Sequence, residues 1–164
     1  MAFLNDFDIS GYGLSAQRFR INIISSNIAN ANTTRTAEGG PYRRREVIFK
    51  AVDFDESLNR ALEESNNLLE YENPIDEVND DPYPVPPIQN VIVDKVVRDD
   101  SKFKMRYDPS HPDANSEGYV AYPNINPVIE MTDLIEATRA YQANVAAFQT
   151  SKSIALNAID ILKG

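Results

Sequence analysis

Apolar residues recur at helical spacing at both ends of the chain and in strand-like alternation in the middle. The N-terminal stripe consists of Leu14, Gln17, Ile21, Ile24, Ile28 and Ala31. These positions advance in steps of three and four, which places them on one face of a helix. Ser10 is a plausible N-cap for that helix, and turn-forming residues after Asn30 end it. The pattern predicts an N-terminal helix within residues 1–35.

A longer helix is predicted in residues 125–164, where Pro127 suits the first helical turn. One seam along it consists of Met131, Leu134, Thr138, Tyr141, Val145, Phe148, Lys152, Ala155, Ile159 and Leu162. A second seam beside it, built mainly from small residues, consists of Ala140, Ala143, Ala147, Ser151, Ile154, Ala158 and Ile161. One short helix cannot cover two seams on a longer one. The remaining apolar surface is therefore expected to meet other copies or relatives of the chain.

Residues 36–124 have the pattern of a small β-rich, loop-rich segment. Strands are expected around Val47 and from Val91 to Val97, and Phe103, Met105 and Tyr107 alternate with basic residues as in a half-buried strand. The segment that ends at Tyr122 is a candidate hairpin partner for that strand. The predicted fold class is α+β, with two long terminal helices that pair in a coiled-coil-like domain. In the alternative, both helices pack onto the middle segment as an ordinary globular core.

An acidic segment, which we interpret as an insertion of about residues 53–88, interrupts the middle. It holds eleven acidic residues and one basic residue between positions 53 and 81, and four prolines follow at 82, 84, 86 and 87. Acidic tracts usually form solvated surface, so we favour that role. Contact with a basic partner surface is the alternative.

Composition excludes several functional classes. The net charge of −9 argues against binding to nucleic acid, which needs a basic surface. The chain has no cysteine, no phosphate-binding loop and a single histidine, His111, so we expect no enzyme, no cofactor and no metal site. A hydrolase that uses His111 and Asp113 is the weakest alternative, because residues in a proline-bracketed stretch more often form a turn.

The basic run Arg43, Arg44 and Arg45 has two interpretations. It either begins a strand with exposed charges or forms a docking patch for a carboxylate-rich neighbour. The N-terminal region lacks a basic segment before its apolar stretch, and that stretch is interrupted by Arg18 and Arg20. We therefore expect no cleaved signal peptide and no direct insertion into a membrane.

Motifs at both ends resemble one known family. The run Ser25-Ser26-Asn27-Ile28-Ala29-Asn30-Ala31-Asn32-Thr33 resembles the N-terminal signature of flagellar rod and hook proteins. The C-terminal runs Gly118-Tyr119-Val120, Pro123-Asn124-Ile125-Asn126 and Ala137-Thr138-Arg139-Ala140-Tyr141-Gln142-Ala143-Asn144 resemble the same family. The chain is thus similar to the flagellar basal-body rod protein family, proximal-rod FlgC type, over roughly residues 1–52 and 89–162.

The resemblance implies a structural subunit of the bacterial flagellum that uses type III export and joins a helical rod in the periplasm. It implies three kinds of partner: other rod subunits, neighbouring copies of the chain, and the rod adaptor near the inner-membrane ring and export gate. A soluble helical adaptor or chaperone is the competing class. The predicted assembly interface comprises Leu14, Ile21, Ile24, Ile28, Asn27, Asn30, Met131, Leu134, Tyr141, Val145, Phe148, Ile159 and Leu162.

Overall fold

The computed structural model describes residues 2–53 and 89–163, with side chains for residues 7–53 and 89–161. Its elements are α1 (Ala2–Ala29), β1 (Arg45–Asp53), β2 (Gln89–Arg98), β3 (Lys104–Tyr107), β4 (Tyr119–Tyr122) and α2 (Pro127–Lys163). The α+β class with two terminal helices around a small sheet-containing middle is confirmed. The acidic segment of residues 54–88 lies outside the described residues, so its predicted roles stay predictions.

Helix α1 begins earlier than its sequence pattern predicts. Ser10 is buried within the helix and is not its N-cap, because the helix already begins at Ala2. Tertiary packing explains the extension, since the ring of Phe7 meets the ring of Phe148 edge-on with 4.9 Å between centroids. Most helical stability in proteins comes from such packing and not from local signals.

The start of helix α2 is set by Pro127 and by the side chain of Asn126. Pro127 is the first helical residue, and the backbone N–H of Val128 donates to Asn126 Oδ1 at 3.1 Å. Asn126 therefore satisfies one of the amides that a helix leaves unpaired at its start. At about 1.5 Å per residue, the 37 residues of α2 extend about 55 Å, against about 42 Å for the 28 residues of α1.

The strands form two separate antiparallel pairs. Strand β1 pairs with β2 from Arg45 opposite Arg98 to Asp53 opposite Gln89, with a bulge at Ile48/Phe49. Helix α1 packs against both this strand pair and α2. Strand β3 pairs with β4, so the predicted hairpin partner is confirmed.

The predicted half-burial of β3 is wrong. All four of its residues are exposed, with Met105 at 56% and Tyr107 at 64%. Residues opposite each other in an antiparallel pair share a face. Arg106 is opposite the fully buried Val120, so the apolar residues of β3 lie on the other, outward face. The alternation of apolar and basic residues predicted the strand correctly, whereas the face of β3 that is buried depends on its pairing with β4.

Candidate assembly interface

The two helices pack antiparallel through small side chains. Asn27 of α1 contacts Glu130 of α2, whereas Phe7 contacts Phe148 at the other end. Between them, Ala16 and Ala137 are 2% and 0% exposed. Such residues let two helix backbones approach closely, which buries little apolar surface per residue.

Residues of α1 in the predicted interface are largely used within the chain itself. Ile24 is 6% exposed and Asn27 is 0% exposed. The half-buried members are Leu14, Ile21, Ile28 and Asn30. Asn30 lies just after α1, and its Nδ2 donates at 2.9 Å to the Ser26 carbonyl, which also accepts from the Asn30 backbone N–H at 3.1 Å. The predicted contacts of these residues with neighbouring copies stay predictions.

Residues of α2 in the predicted interface divide into two groups. Leu134, Tyr141 and Val145 are half-buried in the chain. Met131 is 53% exposed and Ile159 is 46% exposed, and both remain available to a second molecule. Phe148 lies between the groups, with 36% of its surface exposed although its ring contacts Phe7. The side chain of Leu162 lies outside the described side chains.

Helix α2 continues beyond the start of α1. Five residues of α1 precede Phe7, so α1 begins opposite about residue 153 of α2. About ten residues of α2, or about 15 Å, project past that point. We call residues 154–163 the α2 overhang. Four large apolar side chains among its described residues are uncovered: Ile154 58%, Leu156 52%, Ile159 46% and Ile161 80% exposed.

A second uncovered apolar patch lies at the opposite end of α2. It consists of Val128, Ile129, Met131 and Ile135, which are 71%, 55%, 53% and 54% exposed. Of these, the sequence pattern singled out Met131 alone. The i, i+3, i+7 spacing of Val128, Met131 and Ile135 is itself a helical stripe. It was hidden because the pattern does not say which stripe faces α1.

A buried polar junction joins α1, the start of β1 and α2. The Asn27 side-chain amide donates from Nδ2 to the Arg45 carbonyl at 2.8 Å and to Glu130 Oε2 at 3.0 Å. Its Oδ1 accepts from the Arg45 backbone N–H at 2.9 Å and from the Tyr42 hydroxyl at 3.2 Å. Asn27 therefore uses both its donors and both its acceptor sites, which is the condition for stable burial of an amide.

Glu130 completes this junction from α2. Its side chain is 1% exposed, and Arg44 Nε donates to its second oxygen at 2.6 Å. Burial lowers the pKa of Arg44, but the hydrogen bond and charge of Glu130, with Glu46 and Asp133, outweigh it and raise that pKa. Arg44 thus stays charged and neutralises a carboxylate that would otherwise be buried alone. Periodicity could not have found Tyr42 or Glu130, because each acts through contacts with residues that lie elsewhere in the sequence.

The basic run is engaged inside the chain at each position. Arg44 is bound to Glu130, as described above. Arg43 Nη1 donates to the Asp99 carbonyl at 3.0 Å, and its guanidinium lies 4.6 Å from the centre of the Phe103 ring. Arg45 lies 5.6 Å from the ring centre of Tyr42. Docking of an acidic neighbour on this run stays a prediction.

His111 lies in a turn. The Asp113 N–H donates to His111 Nδ1 at 3.1 Å, and Asp113 also accepts from the Thr34 hydroxyl at 2.8 Å. Across residues 2–53 and 89–163, no three histidine, cysteine or acidic side chains are grouped as metal ligands would be. Within those same ranges, neither helix combines the length and the apolar character that a membrane span requires.

Comparisons with known proteins place both ends in one family. Residues 7–35 match the family model "Flagella basal body rod protein", and residues 116–161 match "Flagellar basal body rod FlgEFG protein C-terminal". Proteins named "Flagellar basal-body rod protein FlgC" are similar along almost the whole chain. The one from Borreliella burgdorferi is 39% identical, with 100% of each chain covered. Those from Bacillus subtilis and Salmonella typhimurium are 37% and 32% identical, and the alignments cover 98–100% of each chain.

Proposed function

Because this chain belongs to the flagellar basal-body rod proteins of FlgC type, which are structural subunits and not enzymes, we propose how it assembles. It joins the proximal rod as a helical array held by its terminal helices. The rod crosses the periplasm, and the chain reaches it through type III export without cleavage of a signal peptide. Membership in the rod implies association with other rod components.

The specific partners are part of the proposal. They are neighbouring copies of the chain, other rod subunits, and the adaptor near the inner-membrane ring and export gate. A neighbouring copy of the chain has the same antiparallel helix pair and can offer apolar helix surface of the same character. Contacts of one patch with a different patch on the next molecule are heterologous, and such contacts generate open helical assemblies when the rotation between molecules does not close a ring.

The observation that supports this proposal best is the uncovered apolar surface of α2. The overhang exposes four large aliphatic side chains on ten residues of helix, at an end that α1 does not reach. A helix of that length is not stable by propensity alone and needs its apolar face covered. Each aliphatic side chain that becomes fully buried contributes roughly 1.5–3 kcal/mol, so coverage by neighbours supplies the stabilisation.

The test replaces Ile154 and Ile161 by aspartate in the full-length chain, in a strain that lacks its own copy. We expect loss of motility and of rods in purified basal bodies, because a buried unpaired charge is costly. The purified subunit should keep its circular dichroism spectrum and its unfolding midpoint, since both side chains are solvent-exposed in the single chain.

The matched control replaces Ser153 and Asn157, exposed polar residues of the same helical region, by aspartate. It adds the same charge without removing apolar surface, so motility should persist. Normal motility of the Ile154→Asp/Ile161→Asp chain would refute assembly through the overhang. Equal loss of motility in the control would show that any added charge at this surface blocks assembly, whether or not apolar side chains are removed.

A further inference from the structure

In the middle of the contact between α1 and α2, the packing fixes the axial register of the two helices only weakly. Ala16 and Ala137 are the buried residues there, and a Cβ atom placed on Gly13 would lie 2.8 Å from Asn144 Nδ2. Moving α1 by three residues puts Gly13 in the place of Ala16. Moving α2 by three residues puts Ala140 in the place of Ala137. Small side chains form shallow ridges, and the atoms nearest a Cβ at position 13 belong to the flexible side chain of Asn144, so the packing itself discriminates poorly between such registers.

The polar junction does discriminate between them. Asn27 and Glu130 are buried at 0% and 1% exposure and are joined at 3.0 Å. A slide of one turn, about 5.4 Å, breaks this bond and separates Glu130 from Arg44. The slide would leave the buried Glu130 carboxylate without its partners, which is strongly destabilising. A single buried asparagine fixes register in coiled coils by the same logic.

We infer that Asn27 and Glu130, with Arg44 as the neutralising partner, fix the axial register of α1 against α2. This register decides where α1 stops covering α2, and therefore which aliphatic residues belong to the overhang. A one-turn slip would add or remove about four residues of uncovered helix. The inference concerns the single chain, so it stands or falls separately from the proposed assembly.

The chain has no native cysteine, so introduced cysteine pairs can report the register without background. Phe7→Cys is combined in turn with Asn144→Cys, Phe148→Cys and Lys152→Cys, which sample the native contact and one turn on each side. Intramolecular disulfide formation is measured under mild oxidation in dilute full-length protein. The 7/148 pair should form at least about tenfold faster than the other two pairs, because residues 7 and 148 face each other in the native register. A disulfide needs Cβ atoms within about 3.5–4.5 Å, and an offset of one turn moves the other two pairs about 5.4 Å further from that range.

The decisive variant is Glu130→Met, which keeps volume and leaves the Asn27 bonds to Arg45 intact. Arg44 retains Glu46 and Asp133 as acidic neighbours at 3.3 and 3.7 Å. We expect unchanged helix content but disulfide rates for the three pairs within about threefold of one another, because several registers become similar in free energy. Glu130→Gln, which can still accept a hydrogen bond, should restore the preference for 7/148.

The control is Glu136→Met, which removes an exposed acidic residue from the same helix and should keep the native preference. If circular dichroism shows that Glu130→Met lowers the helix content, the disulfide rates are measured in Glu130→Asp instead. That variant shortens the reach to Asn27 but keeps the charge. A purely stabilising role would lower all three rates together. Native preference for 7/148 in the variant that is read, or no preference in the unaltered chain, would overturn the inference.

Discussion

Truncation of Ile24 to alanine tests whether the small contact between α1 and its neighbours is a genuine core. Ile24 is 6% exposed, and eight apolar side chains in all, Pro123 included, are buried among the described residues. Removal of buried aliphatic groups from a close-packed site typically costs 2–5 kcal/mol. Ile24 also lines a cleft of about 280 Å³ between α1, β1 and α2, where the surroundings can relax into the new space. We therefore expect the lower part of this range, about 2–3 kcal/mol.

The assay is urea denaturation of the purified chain, followed by far-ultraviolet circular dichroism. Ile24→Ala should lower the midpoint with little change in the dependence on urea, because the surface exposed on unfolding is almost the same. The matched control is Ile9→Ala on the same helix, where the side chain is 37% exposed and a cost below about 1 kcal/mol is expected. Equal losses in the two variants would show that α1 is not docked as described.

Three further predictions concern Gly118, Gly11 and the ion pair between Glu38 and Arg98. Gly118 has φ of 80°, and an added Cβ would lie 2.9 Å from Tyr107 Cε2, so Gly118→Ala should destabilise the β3–β4 pair by more than about 1 kcal/mol, seen as faster amide exchange. Gly11→Ala meets no atom within 4 Å and should stabilise α1 by about 0.5–1 kcal/mol; destabilisation would contradict its open surroundings. The hydrogen bond and charge of Arg98 lower the pKa of Glu38, so their pair contributes above the ordinary pKa of glutamate and weakens as pH falls through the lowered value. Amide exchange in the adjoining turn should rise over that acidic window in the native chain and not in Glu38→Gln.

Periodicity predicted the helices and strands because it depends on local sequence. The α2 stripe through Leu134, Tyr141 and Val145 lies half-buried as a seam should, and Pro127 marks the helix start. Local signals failed where a distant contact decided the outcome. Ser10 resembles a cap, but packing of Phe7 on Phe148 extends the helix past it.

The polar junction shows a different limit of the sequence. Asn27 belongs to a recognisable signature, yet its partner Glu130 lies 103 residues away, and no spacing rule connects the two. The alternation also predicted that the apolar residues of β3 are buried. In the structure Arg106 lies opposite the buried Val120, so Met105 and Tyr107 lie on the outward face. Burial of a two-stranded pair depends on what covers each face, which the alternation of one strand does not contain.

The most direct test of the central claim is the accessibility of the overhang in free and assembled protein. Ile161→Cys is introduced into the cysteine-free chain, with Gln149→Cys on α2 as a second exposed reporter site, and labelling by a maleimide is followed. In the free subunit both thiols should react rapidly. In purified basal bodies, labelling at position 161 should fall by at least about tenfold, because a neighbouring helix surface excludes the reagent. Equal labelling at position 161 in the free and the assembled protein would contradict assembly through this surface.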